Sequence, residues 1–460
     1  MMLTGFLEID DKEITFFFDG KVVILSPENT MSRHLPVEAV HYDCIYGVTS
    51  TNREVFFIGC DYYRGQCITI QGWIIGTSNT GLIDIRGFDS ITFSGNVVDA
   101  FFTPGRAFKV EENSDHLLKD FQRVPALITI PFEDYIETFD ITVSGERIGV
   151  DLSVHVSYML KQEVRNFGQR YTQLRLKFDE LKNICDVPKY YLFMFDFFQF
   201  VAFRRNIVFD RIDLWKKNGL NEKYEKIASC HFFMKNEEDQ FKENNAKVIL
   251  YEDVREHISL LMQNIAMRRG NDINDALWIP LDDKSSKEIN HSTFLNTALS
   301  FEGEYTRVFP DTKCETNALF AEIKNHLLEV IGNEKDLFIQ SCNSKTQINK
   351  GTSYYNKFIE SISYIDATLE EKFNTALKRY KFIKKSADIL VKREKSEEID
   401  NFGNIFAGMR NKIGHGNPPS IEREHVVVFR LARMLIYALI LEGSGFRMDE
   451  IERVLTNLRI

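Results

Sequence analysis

The residues with the most distinctive chemistry lie close together near the C-terminus, in a segment that holds Arg410, Asn411 and His415. An imidazole has an ordinary pKa of about 6.5, so that His415 could accept or donate a proton at neutral pH. Arg410 is a permanent cation whose forked donors suit a phosphate group or its transition state. Asn411 could donate to a phosphate oxygen or orient the imidazole. Together these residue types indicate cleavage of a phosphodiester.

A helix would position these side chains. Apolar residues at 399, 402, 406, 409 and 413 follow the helical period and mark a buried face. The opposite face carries small or polar residues: Asn404, Gly408, Asn411 and His415. Arg410 lies at the edge between the two faces. Glycine and proline at 414–419 are predicted to end the helix, with His415 pointing away from its core.

Such a site needs neither a metal ion nor a cofactor if the substrate supplies the attacking group. RNA does so through its 2′-hydroxyl. We therefore predict an RNA substrate, no metal and no cofactor. The alternative interpretation is a polar helix terminus closed by a glycine cap, without catalytic role.

The last 170 or so residues have helical periodicity. Apolar residues at 362, 365, 369, 373, 376, 380, 383, 387 and 390 predict one face of a long helix. Residues 421–441 are apolar nearly all round and predict a central helix, and 448–458 a short final one. The sequence therefore predicts an all-α bundle over residues 289–460.

The rest of the chain predicts a different architecture. Asp19 and Gly20 separate two β-type runs and predict a hairpin turn, and further short β-type runs follow. Residues 1–158 are thus predicted to be a β-rich domain, an antiparallel sandwich or barrel. Residues 159–288 mix helical and strand patterns and predict a mixed α/β middle domain. The fold class predicted is multidomain α+β.

Charge is distributed unevenly along the 460 residues. The net charge of −10 excludes a protein that coats nucleic acid through bulk charge. Residues 351–460 nevertheless carry a net charge of +3, and the remainder −13. A basic run with interleaved aromatics could follow an RNA backbone, or be the solvated face of a helix; its candidates are Lys378, Arg379, Lys381, Lys384 and Lys385. Three arginines of the predicted central helix could bind phosphates or pair with acids: Arg423, Arg430 and Arg433.

Seven scattered cysteines without a CxxC pair indicate reduced thiols. The first ten residues lack a basic and apolar leader, and the longest apolar stretch, 426–441, is interrupted by arginines. We therefore expect a cytoplasmic protein that does not enter a membrane.

The pattern Arg-Asn-x-x-x-His-Gly between two bundle helices resembles the motif of the HEPN ribonucleases. The wider layout is similar to that of ApeA-type anti-phage HEPN proteins, which have a β-rich N-terminal part, a mixed middle and a C-terminal HEPN domain. Residues 294–308 resemble the first helix of that domain. The polar stretch 310–352 departs from the family pattern.

This resemblance implies a metal-independent endoribonuclease of bacterial abortive infection, with tRNA as a suggested substrate. It implies a homodimer in which the motif helices of two subunits line one cleft, and an N-terminal sensor of a phage-derived trigger. By motif position Arg410, Asn411 and His415 carry over as catalytic residues, and Glu302 as an acidic neighbour.

Two other functions stay open at this point. The β-rich part could recognise a protein or carbohydrate while the bundle only dimerises. The chain could also act with a nucleotidyltransferase, as the resemblance to small HEPN proteins suggests, although its long fused N-terminal region favours a stand-alone effector.

Overall fold

The computed structural model describes residues 2–10, 12–26, 40–62, 67–79, 84–111, 126–129, 135–156, 170–218, 223–233, 247–270, 278–282, 284–309, 318–342, 344–363, 368–394 and 399–458. The chain divides into two compact units, Met1–Ser286 and Lys287–Ile460. The first is rich in strands and the second is helical, which confirms a multidomain α+β fold with a β-rich N-terminal part and an all-α C-terminal part.

The strands of the first unit are β1 (Leu3–Ile9), β2 (Lys12–Phe18), β3 (Val22–Leu25), β4 (Val40–Thr49), β5 (Arg53–Tyr62), β6 (Cys67–Thr69), β7 (Gly72–Asn79), β8 (Gly87–Ser94), β9 (Phe108–Glu111), β10 (Ala126–Thr129), β11 (Ile136–Val143), β12 (Glu146–Val156), β13 (Arg170–Asn183), β14 (Arg211–Lys217) and β15 (Tyr224–Phe232). Its helices are α1 (Asn96–Phe101), α2 (Val187–Ala202), α3 (Tyr251–Val254) and α4 (Ile258–Gly270).

Six strands close into a small barrel in the order β5-β4-β1-β2-β3-β6, because β6 also pairs with β5. Alternate side chains of each strand fill the interior of the barrel. In β1, for example, the odd-numbered residues are buried and the even-numbered residues are exposed. The predicted hairpin joins β2 to β3, and the Asp19 carboxylate accepts the backbone N–H groups of Lys21 and Val22. Gly20 supplies a φ of +101° at this turn, a value that other residues rarely adopt.

The predicted boundary at 158/159 is wrong, because strands from both sides of it belong to one antiparallel sheet. β8 pairs with β13 on one side and β14 on the other, and β15 pairs with β7. Thirteen of the described strands therefore form a single sheet, and β9 and β10 form a separate two-stranded ribbon. Residues 179–203, predicted as one buried helix, begin as the end of β13 and become helical only at α2, where Pro188 stands in the first turn.

The helices of the second unit are α5 (His291–Val308), α6 (Ala318–Ser341), α7 (Lys345–Ser363), α8 (Leu369–Arg379), α9 (Lys381–Glu394), α10 (Phe402–Gly414), α11 (Arg423–Gly443) and α12 (Met448–Leu458). α11 is the central helix, as predicted, with fourteen buried residues packed against α5, α9, α10 and α12. Across the described residues, every helix falls short of the length and hydrophobicity that a membrane span requires.

The predicted long helix over residues 362–390 is wrong. α8 starts anew at a capping box formed by Thr368 and Glu371, and the chain leaves helical geometry at Tyr380 before α9 begins. Phe373, Tyr380 and Ile383 are nevertheless buried as the stripe required. Within the unusual polar stretch, α6 and α7 pack against each other as a hairpin, with the Phe338 and Tyr355 rings 5.7 Å apart.

Candidate active site

α10 is fixed in the bundle by its apolar face. Asn401 caps the helix by accepting the N–H of Asn404 at 3.1 Å. Phe406 is fully buried, and its ring centroid lies 4.5 Å from that of Phe373 and 5.4 Å from that of Phe294. The helix and its burial confirm the sequence pattern, and they determine which residues of the next turn face outward.

The C-terminal end of α10 has a glycine-closed cap. The His415 N–H donates to the Asn411 carbonyl at 3.0 Å, and the Gly416 N–H donates to the Ile413 carbonyl at 3.1 Å. Gly416 has a φ of +76°, which a side chain would disfavour. The helix therefore ends at Gly414, and His415 is its C-cap residue, with its side chain exposed.

Two of the predicted site residues, Asn411 and Glu302, lie next to the Arg410 guanidinium. Its Nη1 donates to Asn411 Oδ1 at 3.3 Å, and its Nη2 lies 3.8 Å from Glu302 Oε2 on α5. Its Nε atom is buried and has no hydrogen-bond partner among the described residues. The structure thus brings Arg410, Asn411 and Glu302 together, with donor capacity still available on the cation.

The His415 side chain is free within the part of the chain that the structure describes, where it forms no hydrogen bond or ion pair. It is attached one helical turn after Asn411. On the same face, a Cβ added to Gly408 would meet nothing within 4 Å, so that packing inside the chain does not require this glycine. The exposed face of α10 can therefore accept a ligand or another chain.

Two further histidines fix the loop after His415; the sequence favoured a structural role for His425 and did not single out His291. His291 on α5 donates from Nε2 to the Pro419 carbonyl at 2.8 Å. His425 in the first turn of α11 accepts the Glu422 N–H at Nδ1, at 2.9 Å. Burial lowers the pKa of His425, and the neighbouring carboxylates oppose that shift. Glu422 and His425 form a capping box in the structure, but their residue types differ from the usual Ser/Thr-x-x-Glu signature, so the sequence carried no clear signal for it.

The basic run is only partly available to a ligand. Lys378, Lys381, Lys384 and Lys385 are exposed. Arg379 instead forms an ion pair with Glu442 on α11, which also accepts from the buried Tyr380 hydroxyl at 2.5 Å. The Arg379 guanidinium lies 5.0 Å from the centroid of the Phe309 ring. Arg379 therefore contributes to bundle packing, contrary to its prediction as an RNA ligand.

The three arginines of α11 differ in exposure. Arg423 is exposed and Arg430 half-buried, and both have contacts within the chain. Arg433 is 3% exposed, and its guanidinium lies 4.2 Å from the Phe429 ring centroid. Burial lowers its pKa to about 10. The prediction that Arg433 binds RNA is wrong, because its side chain is inside the bundle.

The arrangement offers an exposed imidazole, a cation with free donors, an amide and one carboxylate. Chemically, an imidazole can transfer a proton, and a guanidinium and an amide can donate to the oxygens of a pentacovalent phosphate. No protein-family model, no curated protein and no solved structure matches the chain.

Proposed function

We propose that this protein is a metal-independent endoribonuclease of the HEPN type that acts in bacterial anti-phage defence by abortive infection. The observation that supports it most is the exposed, unpartnered His415 imidazole at the end of the helix that presents Arg410 and Asn411. A structural histidine is ordinarily bonded, as His291 and His425 are in this same unit.

In the proposed reaction the 2′-hydroxyl of RNA attacks the adjacent phosphorus, and the bond to the 5′-oxygen breaks. One group removes the 2′-hydroxyl proton and another protonates the leaving 5′-oxygen. Arg410 donates to the non-bridging oxygens, whose charge grows in the transition state, and Asn411 adds a donor or orients the imidazole. The products are a 2′,3′-cyclic phosphate and a 5′-hydroxyl.

Two proton transfers favour a homodimer. Each chain supplies one free imidazole at this site, whereas the reaction needs an acid and a base. A second α10 could approach along the face that carries Gly408, where open space surrounds the glycine. His415 of each subunit would then serve one of the two steps, in a cleft shared by both motif helices.

The test is cleavage of RNA, tRNA included, by the purified full chain in the presence of EDTA. We expect cyclic-phosphate ends, and a loss of about 100- to 10,000-fold in rate for His415→Ala. The thermal midpoint of that variant should stay within about 1 °C of wild type, because the side chain is exposed and unbonded. Lys412→Ala is the matched control, an exposed cation on the last turn of the same helix. Undiminished cutting by His415→Ala contradicts the site assignment.

A binding module with a helical dimerisation domain is the competing function, favoured by the large strand-rich unit that carries no assigned chemistry. It predicts equal toxicity for wild type and Arg410→Ala in cells, with or without phage. Our proposal predicts that phage infection makes only the wild type toxic, because the strand-rich unit senses a phage-derived trigger. Equal toxicity under infection supports the binding module and contradicts the nuclease.

A further inference from the structure

The hairpin formed by α6 and α7 leaves its side chains exposed or half-buried. The two helices hold 24 and 19 residues, and none of their described side chains is buried. Among the described elements, the two helices pack chiefly against each other. Two helices alone cannot enclose apolar side chains, so a hairpin of this kind ordinarily needs a second layer.

Exposed apolar side chains form a stripe along α6. Ile323, Leu327, Val330 and Leu337 are between 41% and 57% exposed. Their steps of four, three and seven residues follow the heptad period of helices that pack side by side. Glu334 occupies the remaining heptad position, between Val330 and Leu337. α6 therefore presents the seam of a helix bundle to solvent.

α7 exposes two aromatic rings on the same side of the hairpin. Tyr354 and Phe358 are 60% and 61% exposed. Tyr354 directly precedes Tyr355, and Leu337 directly precedes Phe338, whose rings face each other between the helices. In an antiparallel pair, one step back from the facing residue leads to the same side on both helices. An open groove of about 510 Å³ lies on this face, lined by the four rings of Phe338, Tyr354, Tyr355 and Phe358 among others.

The two helices carry opposite charge. α6 holds four acidic and two basic side chains, and α7 holds three basic and one acidic. Glu334 lies within the stripe of α6, and Lys350 and Lys357 border the exposed rings of α7. These three side chains form no ion pair within the described part of the chain. Unpaired charges beside an apolar seam favour a partner that supplies the opposite charges.

We propose that this face of the α6–α7 hairpin binds a second copy of the chain. In the complex, α6 of each copy packs against α7 of the other, and the four helices form an antiparallel bundle. This arrangement brings a helix of net charge −2 against one of +2. Packing α6 on α6 would instead bring two Glu334 side chains together within an apolar seam.

The register of the complex follows from the hairpin itself. Lys335 Nζ donates to Asn356 Oδ1 at 2.8 Å, so that Glu334 and Lys357 lie at the same height along the helices. A two-fold axis parallel to the helices preserves this height. It therefore places Glu334 of each copy opposite Lys357 of the other.

The face is large enough for a stable interface. α7 is about 28 Å long, and two helices side by side are about 20 Å wide. Each copy thus offers about 560 Å² in projection, and the relief of the side chains brings this toward the ~800 Å² per partner that stable complexes bury. This inference does not depend on the nuclease proposal, because α6 and α7 carry none of the residues assigned to cleavage.

The first experiment is sedimentation equilibrium of the full chain over a range of concentrations. Wild type should self-associate, and Leu327→Asp/Leu337→Asp should weaken association at least about 30-fold. Both side chains are exposed in the single chain, so the variant should keep its circular dichroism spectrum. Ile389→Asp is the matched control, since Ile389 is a 67% exposed residue of α9 outside the hairpin.

Two outcomes overturn the proposal: a wild type that stays monomeric at every concentration, and equal association of the hairpin variant and the Ile389→Asp control. A further contact through α10 would be present in both variants, so it does not affect their comparison.

The second experiment reverses charges and tests which helices meet. Glu334→Lys alone and Lys357→Glu alone should each weaken self-association about five-fold or more, because like charges then face each other. A mixture of the two variants should associate as tightly as wild type, because opposite charges then meet at both pairs. Unchanged association of the single variants, or a mixture that fails to recover it, contradicts the packing of α6 on α7.

Discussion

Glu302 is expected to restrain Arg410, and its neutralisation should therefore strengthen RNA binding. The Arg410 Nη2 and Glu302 Oε2 atoms are 3.8 Å apart, and the two side chains are 35% and 38% exposed. Coulomb's law gives about 1 kcal/mol for this distance in water and about 4 kcal/mol at an effective dielectric constant of 20. Since both groups reach solvent, measured pairs of this kind place the interaction at about 0.2 to 1 kcal/mol.

Glu302→Gln keeps the shape of the side chain and removes its charge. If the released Arg410 contacts a phosphate, an upper value of about 1 kcal/mol corresponds to roughly five-fold tighter binding. One additional phosphate contact should also steepen the salt dependence by about 0.7 in the logarithmic plot. The loss of the ion pair should lower the thermal midpoint by no more than about 4 °C.

The assay is fluorescence anisotropy with 2′-O-methyl RNA, which lacks the attacking hydroxyl and so stays intact. Glu329→Gln on α6 makes the same charge change at an exposed position and is the matched control. We expect tighter binding for Glu302→Gln than for Glu329→Gln. Equal or weaker binding for Glu302→Gln would refute the view that this carboxylate competes with phosphate for Arg410.

Three further predictions concern the bundle. Arg379→Ala should lower the free energy of unfolding by about 1 kcal/mol, measured with urea, and leave RNA affinity unchanged, because the guanidinium pairs with Glu442. Burial lowers the pKa of His425 in the folded chain. Below about pH 6.5 the unfolded chain therefore binds this proton more readily than the folded chain, and the free energy of unfolding decreases as the pH is lowered. His425→Gln can still accept the Glu422 N–H and should show a smaller loss of thermal midpoint between about pH 7.5 and about pH 5.5. Gly403→Ala should destabilise by about 1 to 3 kcal/mol in the same urea assay, because its Cβ would lie 2.5 Å from a carbonyl oxygen of α8.

Local patterns predicted the elements whose cause is local. The α10 stripe, the α12 helix and the Asp19-Gly20 hairpin each depend on residues within a few positions of one another. The break at Tyr380 escaped prediction because the buried stripe continues in phase across it. The sheet order escaped for another reason: β7 and β15 are neighbours but lie about 150 residues apart, and no local pattern encodes that pairing.

The candidate site divides in the same way. Arg410, Asn411 and His415 belong to one helix and its cap, so their positions followed from the helical period. Whether Arg379 and Arg433 are available to RNA depends on distant parts of the chain. Arg379 pairs with a carboxylate more than sixty residues away, and Arg433 is buried by the packing of a whole helix. The sequence shows that a residue is basic, but it does not show whether an acidic side chain of the same chain already pairs with that residue.

The interleaved sheet has a consequence for the chain as it leaves the ribosome. β7 and β8 are synthesised before the strands that pair with one of their edges. β7 pairs with β15, which ends at residue 232, and β8 pairs with β14, which ends at residue 217. At a synthesis rate of about 5 to 20 residues per second, the unpaired edge of β7 stays open for roughly 10 to 30 seconds. Such edges pair readily with other chains. Nascent chains shorter than about 230 residues are therefore the species that need chaperone protection, and slow translation over residues 95–210 lengthens their exposure.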